Sequence, residues 1–247
     1  MEDLEQFAGL IENSQKVVFF TGAGISTESG IPDFRSPGGL WEKNQPIDFS
    51  DFMASEEARR ESWRRKFAME VVLAGAVPND GHNAITKLYN LGKVSAVITQ
   101  NIDGLHQASG VAEGDVIELH GNTTYAKCLD CGTRMTLAEV KQIFGKDETL
   151  PTCTSCGGIV KTGTISFGQP MPINEMIRAE KHAIECDLFV VVGSSLVVYP
   201  AADIPVRACQ HGAELVILNR EITPLDPIAS LTLNREIGET LHHVTNL

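Results

Sequence analysis

Apolar positions along the chain follow two rhythms that alternate. Leu4, Phe7, Ala8 and Ile11 recur at spacings of three and four and line one face of a helix. The period then changes. Lys16 to Thr21 reads KVVFFT, a β-branched and aromatic run of the kind that forms a strand buried on both faces, and it leads straight into Gly22-Ala23-Gly24. Similar runs recur at Val94 to Thr99, Val116 to Leu119, Leu188 to Val192 and Leu215 to Leu218, with helical patterns between several of them, such as His82 to Leu91 and Ile173 to Glu185. This alternation predicts an α/β fold, a Rossmann-like parallel sheet with helices on both faces, with ligands bound at the carboxyl ends of the strands. The unusual residues sit at those ends: Gly22 to Ser26, Gln100 to Asp103, Gly193 to Ser195 and Asn219 to Glu221.

Two segments break the rhythm. Ile31 to Gly75 begins as a loop rich in proline and glycine and turns into the charged helical stretch Ser55 to Leu73. Asn122 to Val160 has few long apolar runs and carries four paired cysteines. The expected organisation is a Rossmann-like domain made of 1–34, 76–121 and 161–247, a loop and helical insertion at 35–75, and a zinc-binding module at 122–160.

Composition narrows the class. With 20 Lys plus Arg against 32 Asp plus Glu in 247 residues, a net charge of −12 argues against nucleic acid as a direct partner. The apolar stretch Leu188 to Ala202 is interrupted by Gly193, Ser194, Ser195 and Pro200, so no membrane span is expected. Glu2, Asp3, Glu5 and Glu12 crowd the first segment, the opposite of a secretory n-region, and a cytoplasmic location is expected.

Cys128-x-x-Cys131 and Cys153-x-x-Cys156 place two pairs of thiolates on tight turns, a spacing suited to one structural Zn²⁺ with no open coordination position. A metal would also supply the stability that this segment's thin core lacks. Cys186 and Cys209 have no such spacing and read as small buried residues. The turn after the first strand, Gly22-Ala23-Gly24 through Ser26, lets backbone approach a ligand closely and suits a dinucleotide pyrophosphate at the start of the following helix. It lacks the third glycine of a dehydrogenase, and no acidic residue ends a second strand about 20 residues on, which demotes that reading.

The run GAGISTESGIPDFRS from Gly22 to Ser36 resembles the signature of the sirtuins, NAD-dependent protein-lysine deacylases. TQNIDGLH around Gln100 to Asp103, Leu119-His120-Gly121, GSSLVVYPAA from Gly193, and Asn219-Arg220-Glu221 match in the family's order, over Val17 to about Ile237. Gln169 and the stretch Lys161 to Thr164 depart from the common pattern.

The resemblance implies NAD as co-substrate and attack of an acyl-lysine carbonyl oxygen on C1′ of the nicotinamide riboside. Nicotinamide leaves, and the acyl group passes to ADP-ribose. His120 is then the base that takes a proton from a ribose hydroxyl, and Asn101 orients the ribose and a water. Gln100 meets a ribose hydroxyl, with Ile102 beside it, and Asp103 binds the nicotinamide carboxamide. Gly22, Ala23, Gly24, Ser26, Gly193, Ser194 and Ser195 are expected at the phosphates and ribose. Asp33, Phe34 and Arg35 are expected on a loop that closes over NAD, and Asn219, Arg220, Glu221 and Ile237 at the adenosine end. The other six histidines are expected at the surface.

An acyl-lysine peptide is the implied partner, lying in extended form between the zinc module and the large domain. Ile165 to Gly168, with Phe167 among them, on one side and Leu196 to Val198 on the other would each lend a strand edge, and Phe34 and Val197 would line the apolar acyl tunnel that the resemblance implies. Lys66 and Met69 stand where relatives selective for acidic acyl groups carry Tyr-x-x-Arg, which favours a neutral acyl group. Two rival readings remain open: transfer of ADP-ribose or simple NAD hydrolysis at the same site, and a zinc-containing NAD sensor without turnover.

Overall fold

In the computed structural model, residues 2–33, 39 and 45–246 are described. The first helix, α1 (Glu2–Asn13), buries Phe7 and Ile11, two of the positions that its spacing marks. After it, β1 (Val17–Thr21) is buried along its whole length. Because side chains alternate across a strand, Val17 and Phe19 enter the core on one face of the sheet while Val18 and Phe20 enter the core on the other. An uninterrupted apolar run is what such a strand needs.

Chain order continues with α2 (Phe49–Ala54), α3 (Glu56–Ala74), α4 (Asp80–Asn90), β2 (Val94–Thr99), α5 (Leu105–Ser109), β3 (Val116–Glu118), β4 (Gly121–Cys128), β5 (Arg134–Thr136) and α6 (Leu137–Phe144). Then follow β6 (Val160–Thr164), α7 (Ile173–Glu185), β7 (Leu188–Val192), α8 (Asp203–Gln210), β8 (Glu214–Leu218), β9 (Leu231–Leu233) and α9 (Ile237–Val244). The large sheet is six-stranded, in the order β3-β2-β1-β7-β8-β9, and its pairings are parallel. Strand order reverses between β1 and β7, which makes the carboxyl ends of these two strands the ligand-binding crevice of an open α/β sheet. Residues of α1, α4 and α9 pack on one face, and residues of α7 and α8 on the other.

The smaller sheet is antiparallel, β5-β4-β6, and takes in residues up to Thr164, beyond the cysteine-bearing segment. Its core is shared with the helical insertion: Trp63 and Phe67 of α3 stack at 5.7 Å, and Phe67 lies 5.7 Å from Phe144 of α6. The side chain of Ser55 caps α3 by accepting from the backbone N–H of Ala58 at 3.2 Å, and Glu56 and Glu57 in the first turn suit the helix dipole.

Candidate functional site

Two turns meet at the crevice. The backbone N–H of Gly22 donates to Val192 at 3.0 Å, and that of Gly24 donates to Gly193 at 2.9 Å. A Cβ on Gly22 would fall 2.6 Å from the Gly193 oxygen, and one on Gly193 would fall 2.5 Å from the Ile25 nitrogen. The glycines therefore serve first to let the turn after β1 and the turn after β7 pack against each other. The helix that follows the first turn, Ala23–Ser29, is a seven-residue 3-10 helix. It buries Ile25 and Ser26 and ends at Gly30 in the left-handed region.

The residues after β2 converge on this turn. Asn101 is buried, and its side-chain amide donates to the Gly22 carbonyl at 3.0 Å and the Ser26 hydroxyl at 3.1 Å. Ser26 donates to the Asp103 carboxylate at 2.7 Å, and the other carboxylate oxygen accepts from the Leu105 backbone at 2.9 Å. The Gln100 side chain donates to Ser194 at 2.8 Å, tying β2 to the end of β7. His120, on the turn after β3, has Nδ1 at 2.9 Å from the Gln100 carbonyl. Five expected site residues, Ala23, Ser26, Asn101, Ile102 and Asp103, line one cavity of about 200 Å³. Its far wall comes from the insertion and the small sheet, including Lys66, Met69 and Thr162. Burial lowers the pKa of the Lys66 ammonium.

Other expected residues lie further out. Ser195 follows the buried Ser194 at the end of β7. Asn219 donates to the Glu221 carbonyl at 2.8 Å, and Arg220 pairs with Glu236 at 2.7 Å on exposed surface. The Ile237 side chain is buried at the start of α9. Asp33 is half-buried, and Phe34 and Arg35 lie outside the described residues.

In the groove, neither 165–168 nor 196–198 is paired as a strand within the protein itself. The backbone N–H of Ile165 donates to His120, and the Phe167 carbonyl accepts from Phe49 of α2, both at 2.8 Å. Gly168 completes a turn with φ of 76°, while Phe167 and Val197 are exposed.

The four cysteine sulfurs lie within 4.8 Å of one another, with Cys128 to Cys156 at 3.6 Å and Cys131 to Cys153 at 3.5 Å. A tetrahedral Zn²⁺ with bonds of about 2.3 Å needs sulfur separations of roughly 3.8 Å, so the cluster fits zinc. Hydrogen bonding from the Thr133 hydroxyl lowers the pKa of the Cys131 thiol.

Two histidines contradict the surface expectation. His82 and His106 are fully buried with ring centroids 5.0 Å apart, and burial holds them at about 4 and about 3, so both are neutral at physiological pH. Asn79 was also missed. It caps α4 and donates to the Ile25 carbonyl at 2.7 Å and to Ser29 at 2.9 Å, fixing the 3-10 turn from behind. Its visible signal is the Asn79-x-x-His82 capping pattern.

Residues 22–200 match the model of the Sir2 family. An NAD-dependent protein deacetylase of Rhodopseudomonas palustris is 58% identical over 96% of this chain and 94% of its own. A Sir2 protein solved with a deacetylated p53 peptide and 3′-O-acetyl ADP-ribose superposes with a TM-score of 0.87 at 37% identity, over 99% of this chain and 97% of the other. Another, solved with a p53 peptide and NAD⁺, superposes at 0.86 and 37% identity, over 98% of this chain and 97% of the other.

Proposed function

The chain belongs to the Sir2 family, and from that premise we propose how its residues carry out the reaction. It is an NAD-dependent protein-lysine deacetylase that moves the acyl group from lysine to ADP-ribose with release of nicotinamide. NAD supplies an electrophilic sugar carbon with nicotinamide as leaving group. The residues that act around it are those gathered at the β1/β7 crevice.

Asp103, its carboxylate oriented by Ser26 and Leu105, accepts from the nicotinamide carboxamide. Asn101 orients the ribose from a backbone held by Thr99. His120 takes the proton from the ribose hydroxyl that attacks the activated acyl carbon. Imidazole is the side chain suited by its chemistry to accept a proton in such a step. The turns at Gly22–Ser26 and Gly193–Ser195 hold phosphates and ribose, and Asn219, Arg220, Glu221 and Ile237 take the adenosine end. Asp33, Phe34 and Arg35 close over the site and exclude water, which would otherwise consume NAD without deacylation. Ile165, Phe167, Gly168 and Val197 flank the peptide. Four reduced thiols at the metal site favour the cytoplasm as the compartment.

The observation that carries this reading is the convergence of Asn101, Asp103 and Ser26 on one cavity, with His120 tied to the neighbouring Gln100. Incubation with NAD and an acetyl-lysine peptide tests it. Nicotinamide release should depend on the peptide and match the amount of deacetylated product. Release without peptide would replace deacylation by NAD hydrolysis or ADP-ribosyl transfer, and none at all would leave an NAD-binding scaffold.

A further inference from the structure

Thr21 and Thr99 end β1 and β2 in register, and their hydroxyls meet at 2.8 Å. Thr99 Oγ1 also accepts the backbone N–H of Asn101 at 3.0 Å, and Thr21 Oγ1 lies 2.8 Å from Nε2 of His106 on α5. All four residues are buried. The chemistry of the two ends sets the direction of the chain. The Asn101 nitrogen can only donate. His106 Nδ1 is buried with no partner among the described residues, so a proton there would be a stranded donor, whereas a proton on Nε2 leaves only an unmatched lone pair. The Nε2–H then donates to Thr21, and Thr21 donates to Thr99.

We propose that His106 is a positioning residue for Asn101, acting through the hydroxyls of Thr21 and Thr99. The inference rests on the assignment of Asn101 to the ribose. A leucine at position 106 would fill similar space without desolvating a polar ring, but it would leave the Thr21 hydroxyl without its donor. The backbone that aims the Asn101 carboxamide would then lose its fixed anchor. A small displacement of an orienting group costs turnover far more than it costs affinity for a peptide bound elsewhere. The flanking ring of His82 is held by Asn79 at 3.0 Å, so the same buried cluster supports both Asn101 and the 3-10 turn that Asn101 grips.

The test compares His106→Leu, His106→Gln, Thr99→Val and His106→Leu/Thr99→Val in the full chain, reading kcat, KM for peptide, melting temperature and zinc content. We expect His106→Leu to lower kcat at least tenfold with less than a twofold change in KM for peptide. His106→Gln, whose side-chain amide can still donate to Thr21, should keep a third or more of kcat. The double variant should be within twofold of the worse single one, since both cut one chain. If His106→Leu does not fold, the near-isosteric Thr99→Val carries the same expectation alone. Multiplicative losses in the double variant, a His106→Gln variant as poor as His106→Leu, or an intact kcat in Thr99→Val would overturn the proposal. Asn101→Ala separates the two readings. If it turns over normally, the assignment of Asn101 fails and the proposal with it; if it is inactive while Thr99→Val and His106→Leu are not, the relay alone fails.

Discussion

His120 Nδ1 lies 2.9 Å from the carbonyl oxygen of Gln100, and a carbonyl oxygen can only accept. The proton of the neutral ring is therefore on Nδ1, and Nε2 presents the lone pair. Gln100 thus fixes both the orientation and the tautomer of the base through its main chain, while its side chain reaches Ser194 on the other side of β1. His120→Ala should keep NAD affinity within a few-fold, measured by calorimetry. Formation of deacetylated peptide should fall about a hundredfold or more, the scale of a lost general base. Retention of a tenth of the activity would remove His120 from this role.

Asp103 should govern the response to nicotinamide. Its carboxylate accepts from Ser26 and from Leu105, which leaves its remaining lone pairs to meet an amide in the cavity. Hydrogen bonds to charged groups contribute about 1.5–3 kcal/mol, so Asp103→Asn should raise the inhibitory concentration of nicotinamide about tenfold or more. KM for the acetylated peptide should shift far less. An unchanged inhibition curve would place nicotinamide away from Asp103.

The sheet and the zinc ligands were legible because their signals are local. KVVFFT has apolar residues on both faces of β1, and each C-x-x-C pair carries its own spacing. Shorter elements left too little pattern: β9 is Leu231-Thr232-Leu233, and α2 buries only Phe52. Another miss comes from a distant partner: His106 is buried and meets Thr21, 85 residues earlier. Residue type alone places a histidine at the surface more readily than at the end of a buried hydroxyl chain.

Gly193 and Gly212 separate two costs of replacing glycine. Both have positive φ, 63° and 93°, but a Cβ on Gly193 would sit 2.5 Å from the Ile25 nitrogen, whereas one on Gly212 would meet nothing within 4 Å. Gly212→Ala should cost about 1 kcal/mol from backbone strain. Gly193→Ala adds a clash between two packed turns and should cost about 3 kcal/mol or more, with NAD affinity lost as well. Urea unfolding of both variants checks the difference. Equal losses would mean that the turns part without resistance.

Zinc removal should be visible from Trp63. This ring is buried in the core that includes Cys128 and Cys153, so the metal and the helical insertion are stabilised together. In a Trp41→Phe background, a zinc chelator should shift Trp63 emission to longer wavelength, and Cys128→Ala should show that shift from the start with a lower melting temperature. An unmoved emission maximum after the metal is lost would separate the helix from the zinc site.

Lys161 gives a pH dependence whose sign can be worked out. Its side chain is 2% exposed, its ammonium donates to the Thr164 carbonyl at 2.6 Å, and burial pulls its pKa down to about 8. An unfolded lysine titrates near 10.4. Between about pH 8 and 10.4 the unfolded chain holds a proton that the folded chain has released, so this residue makes stability rise with pH across that window. Below pH 8 both states are charged, and the folded state bears the full desolvation penalty of about 3 kcal/mol. Lys161→Met removes that penalty and leaves the Thr164 carbonyl without its donor, a cost that does not change with pH. The stability of the variant minus that of the wild type should therefore be most favourable to the variant at pH 7.5 and fall by about 3 kcal/mol by pH 10.4. Other titrating groups cancel in this difference when urea unfolding of the two proteins is compared at each pH. A flat difference would mean that Lys161 ionises as it does in water, with its ammonium reaching solvent.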